Sequence, residues 1–353
     1  MRKKNILIFG VGLLVLFLFF KFLRGSGFSV VLKNANFWLV GLAFSLNFVM
    51  IGLWTWRWDV VLKEMKYKLK FVWLYLATLV GNFGDTISPG ARMGGEPFRA
   101  YIVEKKHKDT RIDDLAASLV LERIYNTSVF FAIATISIIF ILFSFAFSFK
   151  LHGLLILILV LSGGLMVLIF YGIFKTKKGI ILLEKIADFV MRLLEHTHFF
   201  RYFEKKHGGK KRIQRIFDVH VRKFFKDLSS FGKEKGLWTK GAAISLLYWF
   251  VIFLQAYLCF MAVGVKISFL GVIAIISISS MAGIVTLLPS GIGVTEIIQT
   301  SLALLFGINL GEAGAAILLV RGNYYLFGIF VGYITLLIIT KGKGHKVVHK
   351  HLK

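Results

Sequence analysis

Residues 86–96 read TISPGARMGGE and residues 286–296 read TLLPSGIGVTE, and the fold is decided by their being two versions of one string. Each sets a proline (Pro89, Pro289) seven residues ahead of a glutamate (Glu96, Glu296), with glycines between. Further along, SLVLERIYN carries Arg123 and AILLVRGNY carries Arg321, each in the same apolar setting and each followed by a Tyr and an Asn. Proline removes an intrahelical hydrogen bond and glycine permits tight turns, so each string interrupts a helix. The apolar runs that lead into the strings, 71–83 and 269–288, are followed by short second runs. The pattern predicts two broken helical hairpins, 71–103 and 269–306, shaped by Pro89, Gly94, Gly95, Pro289, Gly291 and Gly293. The neighbouring Gly81, Gly84, Gly90 and Gly283 are read with them as turn-forming positions that expose backbone amides.

Outside the hairpins the chain is built of membrane-length apolar segments. A bilayer core is about 30 Å thick and takes about 20 residues of helix to cross. Stretches 5–23, 37–56, 115–145, 154–174, 240–263 and 313–339 meet that length. Hydrophobic residues make up 57% of the 353, Phe alone occurs 36 times, and Pro only three times. Together with a mean hydropathy of +0.75, this places the chain in lipid rather than water. The basic start and apolar run at the N-terminus suggest a signal peptide, but the run is too long and no A-x-A site follows, so a retained first helix is expected. The fold class is therefore an all-α polytopic membrane protein.

Charge supplies the orientation. The net charge is +26, from 44 Lys and Arg against 18 Asp and Glu. In a soluble protein that excess would point to nucleic acid; between membrane segments it is explained by the positive-inside rule, and no nucleic-acid partner is expected. Residues 57–70, which begin with Arg57, the stretch 104–112, the segment 175–238 and the tail 341–353 are cation-rich. The connections near 24–36, 146–153 and 264–268 hold one or two cations each. Placing the basic loops inside gives a consistent path in the cell membrane with both termini cytoplasmic. Segment 175–238 spaces apolar residues at three and four with cations opposite, as in amphipathic helices along the inner leaflet or in a plain cytoplasmic linker. The first half, 1–174, includes the helix 154–174 that opens the second, and 239–340 completes it. Since an odd number of crossings precedes the second half, its hairpin enters from the opposite side. The expectation is two inverted-topology repeats, each with a re-entrant hairpin, and a site near the midplane between them.

Ionisable groups inside lipid are costly and mark functional sites. Asp85, Arg92, Glu96, Arg99, Glu122, Arg123, Glu296 and Arg321 fall in or beside membrane segments. Symmetry suggests pairing Glu96 with Arg123 and Glu296 with Arg321. Asp85, Arg92, Glu96, Arg99, Arg123, Glu296 and Arg321 are the candidate substrate-binding residues. Arginines and half-helix N-termini together suit a phosphate, for which Arg offers bidentate geometry. An enzyme is not expected: no His lies in an apolar segment or hairpin, and no metal spacing, P-loop or Rossmann fingerprint accompanies the carboxylates Glu96 and Glu296, which could in principle act as acid and base. HKVVH in the tail has metal-like spacing, but a solvated basic tail is the better reading. No cofactor is expected, and Cys259, the single cysteine, rules out an intramolecular disulfide.

At GNFGDTISPGARMGGEPFRAYIV, LERIYN and LPSGIGVTEIIQTSLALLFG the sequence resembles the lysylphosphatidylglycerol synthase transmembrane-region family, over about 36–340. In two-part members of that family a membrane half moves an aminoacylated phospholipid between leaflets and a soluble domain makes it. With Lys353 a few residues beyond the last membrane segment, no synthase domain is expected and aminoacyl transfer is not carried over. The resemblance implies translocation of a lipid, anionic or polyprenyl-linked, with membrane lipids as partners, and leaves room for a homo-oligomer. It falls on Asp85, Pro89, Arg92, Glu96, Arg99, Glu122, Arg123, Pro289 and Glu296. The competing reading is a scaffold or accessory subunit of a lipid or envelope-glycan enzyme, whose charge pairs only hold helices together; a membrane-embedded lipid-modifying enzyme is a third and lesser one.

Overall fold

A computed structural model describes residues 25–88, 94–107, 109–145, 235–285 and 291–341, with a few isolated positions at 21, 23, 153, 156, 160 and 164. Most of the expected helices 5–23 and 154–174, the amphipathic segment 175–238, the tail, and the residues Pro89, Gly90, Arg92 and Pro289 lie outside that set. Among the described residues every regular element is a helix.

A short α1, Phe28–Lys33, leads into α2, Phe37–Glu64. The first hairpin is α3, Phe71–Ile87, and α4, Glu96–Lys106; α5, Ile112–Ser144, follows. The second half repeats the series as α6, Lys235–Ala262, then α7, Phe269–Val285, and α8, Val294–Leu305. It closes with α9, Leu310–Leu326, a π-helical turn Phe327–Val331, and α10, Gly332–Lys341, in one continuous rod. Four helices, Phe37–Glu64, Ile112–Ser144, Gly236–Ala262 and Leu310–Thr340, are long and apolar enough to cross a membrane. Their outer faces carry bare apolar side chains, such as Trp38 and Phe143 at 89% exposure, as lipid contact requires.

The two halves match element by element. The starts of α3 and α7 (71 and 269), of α4 and α8 (96 and 294) and of α5 and α9 (112 and 310) differ by 198. The agreement reaches single hydrogen bonds. α2 ends with Lys66 at φ 67 and Tyr67 N–H donating to the Leu62 carbonyl at 2.9 Å. α6 ends with Gly264 at φ 79 and Val265 N–H donating to the Phe260 carbonyl at 3.1 Å. Both are left-handed helix stops in which a late amide satisfies an orphan carbonyl. In the first of these turns, Tyr67 O–H also donates to Asp114 at 2.5 Å, and burial and that carboxylate hold the phenol above its ordinary pKa.

α2 and α6 lie antiparallel along their length. Asn36 N–H donates to the Ala262 carbonyl at 2.7 Å at one end. Gln255 donates to the Ala43 carbonyl at 2.9 Å, and Val61 packs with Leu237 at the other end. Loops 65–70 and 263–268 therefore sit at opposite ends of the pair. Each hairpin is then covered by the long helix of the other half. Ile138 and Ile141 of α5 pack on Ala274 and Ile278 of α7. The π turn and α10 pack on α3, with Gly328 against Thr86 and Gly332 against the Leu79 carbonyl and Phe83. Gly328 and Gly332 form a G-x-x-x-G pair, the spacing that lets membrane helices approach backbone to backbone. The main core fills the space between α2, α5, α6 and α9, with Ile51, Trp54, Phe130, Trp249, Phe260 and Ile317 at its centre.

Candidate functional site

Both breaks occur where the strings predicted, but the glycines divide the work differently from the expectation. Gly81, Gly84 and Gly283 are helical rather than turn-forming. A Cβ on Gly81 would strike the Arg99 side chain, and one on Gly95 would strike the Gly81 carbonyl. Glycine is used there for close approach of α3 and α4, because any side chain would hold the two helices apart. Gly291 (φ 68) and Gly293 (φ 85) do supply left-handed turn geometry before α8.

The half-helix N-termini are not open to an outside anion in the way the sequence suggested. Gly95 N–H, ahead of α4, donates to Asp85 Oδ1 at 2.7 Å. Gly293 N–H, ahead of α8, donates to Glu296 Oε2 at 2.7 Å. In each hairpin a carboxylate of the chain takes the place that a partial positive end offers.

Two ion pairs stand at equivalent places. Arg123 Nη2 lies 2.9 Å from Glu96 Oε1, joining α5 to the start of α4. Arg321 Nε lies 2.8 Å from Glu296 Oε1, joining α9 to the start of α8. Arg321 also donates to the Tyr325 hydroxyl, and its guanidinium sits 4.8 Å from that ring's centroid. The two pairs differ in access. Arg123 and Glu96 are 26% and 23% exposed, whereas Arg321 and Glu296 are 6% and 1% exposed.

A third cluster belongs to the first half alone. Glu122, fully enclosed, is gripped by two arginines. Arg57 Nη2 lies 2.5 Å from Oε1, and Arg99 Nη1 lies 3.1 Å from Oε2. Trp54 Nε1 donates to the same Oε2 at 3.2 Å. Arg57 also reaches Asn126 (3.1 Å) and Ser245 (3.3 Å), tying α2 to α5 and α6. The Arg99 guanidinium lies 4.8 Å from the Trp54 ring and 4.3 Å from the Trp58 ring, where cation–π attraction compensates part of its lost hydration. Its Nε and Nη2 have no hydrogen-bond partner among the described residues.

Arg57 is the member of these clusters that the sequence misplaces. Its place at the edge of an apolar run predicts the first cation of a cytoplasmic loop, yet it is 2% exposed within α2, which continues to Glu64. The signal that it belongs inside is its position one turn before Val61 and Leu62, both fully buried. At the 198-residue offset of the long helices stand Gln255 and Val320 in place of Arg57 and Glu122, and at the 200-residue offset of the Pro-to-Glu strings stands Gln299 in place of Arg99. Of the sequence-derived candidates, Asp85, Glu96, Arg99 and Arg123 gather around the first hairpin, and Glu296 and Arg321 around the second. Around the first hairpin Arg57, Arg99 and Arg123 balance Asp85, Glu96 and Glu122. No group of three or more metal-ligating side chains occurs among the described residues.

Chemically, the two kinds of cluster differ. A partly exposed guanidinium–carboxylate pair can exchange its carboxylate for a phosphate oxygen at modest desolvation cost. A dry triad cannot, because removing one member strands the others in a low-dielectric interior.

A family model described as the lysylphosphatidylglycerol synthase TM region matches residues 5–332. Among similar proteins, a UPF0104 membrane protein of Methanocaldococcus jannaschii is 29% identical over 88% of each chain. One from Methanothermobacter thermautotrophicus is 25% identical over 91% of each chain. One from Pyrococcus horikoshii is 24% identical over 91% of this chain and 92% of its own.

Proposed function

The chain belongs to the lysylphosphatidylglycerol synthase transmembrane-region family, and we propose that it translocates a lipid, anionic or polyprenyl-linked, between leaflets by alternating access of two inverted halves. The observation that carries this reading is the unequal access of two equivalent ion pairs. Glu96–Arg123 is about a quarter exposed and Glu296–Arg321 is closed. A carrier caught in one access state has one of its two matching sites open and the other shut. The repeated 198-residue offset of the helix starts and the antiparallel α2–α6 seam support an inverted arrangement, since helices related by an axis in the membrane plane run in opposite directions. The basic loops 65–70 and 104–112 support a cytoplasmic first hairpin in the cell membrane, with both termini on the same side. In this reading Arg123 and Arg321 take turns receiving the phosphate, each released by its glutamate as its side opens, and no covalent step is involved.

The test is leaflet accessibility of short-chain fluorescent phosphatidylglycerol in proteoliposomes. The parent protein should speed its exchange, and Arg123→Ala and Arg321→Ala should each abolish the gain while leaving the fold intact by gel filtration. Exchange at the parent rate in both variants would sink the proposal. It would favour the scaffold reading, which draws on the fully dry Arg57–Glu122–Arg99 triad as a purely structural use of charge.

A further inference from the structure

A groove of about 400 Å³ runs between α4 and α10, away from the ion pairs described above. Its apolar surface comes from Phe98, Tyr101 and Ile102 on one side and Leu336 and Ile339 on the other. Pro97, next to Glu96, lies at one end of the α4 side, and Lys105 and Lys106 lie at the other. The groove opens outward: Phe98 is 40% exposed and Tyr101 50%.

The two lysines are held in an unusual way. Lys105 Nζ sits 4.3 Å from the Tyr101 ring centroid, and Lys106 Nζ sits 3.8 Å from that of Trp73. Neither makes an ion pair among the described residues, although both are exposed. Aromatic faces fix their ammonium groups in place without neutralising them. Trp, Tyr and Lys gathered at a helix end mark the headgroup level of a bilayer. From Lys105 to Glu96 is nine residues of helix, about 14 Å at about 1.5 Å per residue. Half a hydrocarbon core is about 15 Å. α4 thus has the length to reach from headgroup level to mid-membrane, with the groove along its side.

From this we infer that the α4–α10 groove is a docking site for one anionic membrane phospholipid. The phosphate rests on Lys105 and Lys106, and one apolar chain lies along Phe98, Tyr101, Leu336 and Ile339 toward Pro97. The charge complementarity selects the headgroup, and the apolar lining excludes a soluble anion as the occupant. The inference rests on the translocation reading only for the use made of the bound lipid, since the groove delivers it beside Glu96–Arg123.

The experiment uses the full chain in phosphatidylcholine nanodiscs doped with phosphatidylglycerol bearing a photoactivatable chain, and with the matching phosphatidylcholine as comparator. Crosslinked peptides should map to 97–106 and 332–341, and phosphatidylglycerol should label them in preference. Two exposed substitutions, K105Q and K106Q, should together weaken labelling by phosphatidylglycerol about thirtyfold, about fivefold each, with no effect on phosphatidylcholine. Ile339→Trp, which fills the floor while keeping both charges, should block labelling by either lipid. Equal labelling by the two lipids, or phosphatidylglycerol labelling indifferent to the lysine changes, would overturn the inference. Binding is read at equilibrium and needs no translocation. A protein that binds but does not move lipid keeps the groove and loses the proposed function; one that moves lipid with an indifferent groove does the reverse.

Discussion

Replacing Glu122 by Gln leaves two buried guanidiniums, Arg57 at 2% exposure and Arg99 at 0%, facing a neutral amide. Breaking a buried ion pair by deleting one partner costs about 3–5 kcal/mol, most of it the penalty of the stranded charge. Here two cations lose their shared anion, so the upper part of that range is expected, or about three to almost four decades in the unfolding equilibrium. The second half shows how the same positions pack without charge, with Gln255, Gln299 and Val320. Installing that set as Arg57→Gln, Arg99→Gln and Glu122→Val should return stability to within about 2 kcal/mol of the parent. The remainder is the hydrogen-bond partners lost by Trp54, Asn126 and Ser245, at about 1 kcal/mol or less each. Reversible unfolding in mixed detergent micelles, followed by tryptophan fluorescence, measures all of these proteins on one scale. The account is refuted if Glu122→Gln falls within 1 kcal/mol of the parent (about a fivefold shift), or if the triple replacement is no more stable than the single one.

Gly95→Ala places a methyl group against the Gly81 carbonyl, and with no backbone strain at that residue the cost is packing alone, about 1–3 kcal/mol. The same unfolding assay should show it, with faster proteolysis after α4. Gly332→Leu should separate α10 from α3 and lower the thermal midpoint in detergent more than Gly322→Leu, since Gly322 has open space around it. Asn36→Ala removes the side-chain acceptor for Trp38 and Leu39 N–H at the start of α2, and should cost about 1 kcal/mol. In a Cys259→Ala background, Lys68→Cys and Lys266→Cys should react with an impermeant thiol reagent from opposite sides of intact vesicles; labelling from one side would contradict an inverted seam.

The helical class and the pairing of Glu96 with Arg123 and Glu296 with Arg321 could be read from the chain because both rest on spacing. A proline and a glutamate repeat at a 200-residue offset and an arginine at 198, and those offsets survive folding as contacts. Arg57 could not be read the same way. A cation at the edge of an apolar run looks like the start of a loop, and only the distant Glu122, brought close by the α2–α5 packing, makes burial tolerable. The Gly81 and Gly84 assignments failed for a related reason. Glycine beside a break looks like part of the turn, and whether it serves a turn or a close helix contact depends on what lies opposite. The carboxylates Asp85 and Glu296 that take up the hairpin amides were visible as charges, but their partners are backbone groups that no spacing rule singles out.

The missing counterpart of the Arg57–Glu122–Arg99 triad bears on direction. A machine made of two identical halves facing opposite ways has no front and no back: its two mirror states are equal in energy, and each is occupied half of the time. This chain keeps that likeness in helix offsets, in helix stops and in one pair of charges, then discards it at three side chains. The triad braces α2, α4 and α5 around the first hairpin, while amides and a valine stand around the second. Rearranging the first hairpin disturbs a charged triad as well as an ion pair, and rearranging the second disturbs an ion pair alone. In the proposed transport cycle the two states would therefore be unequal, with the imbalance that sets a resting side written in those three residues.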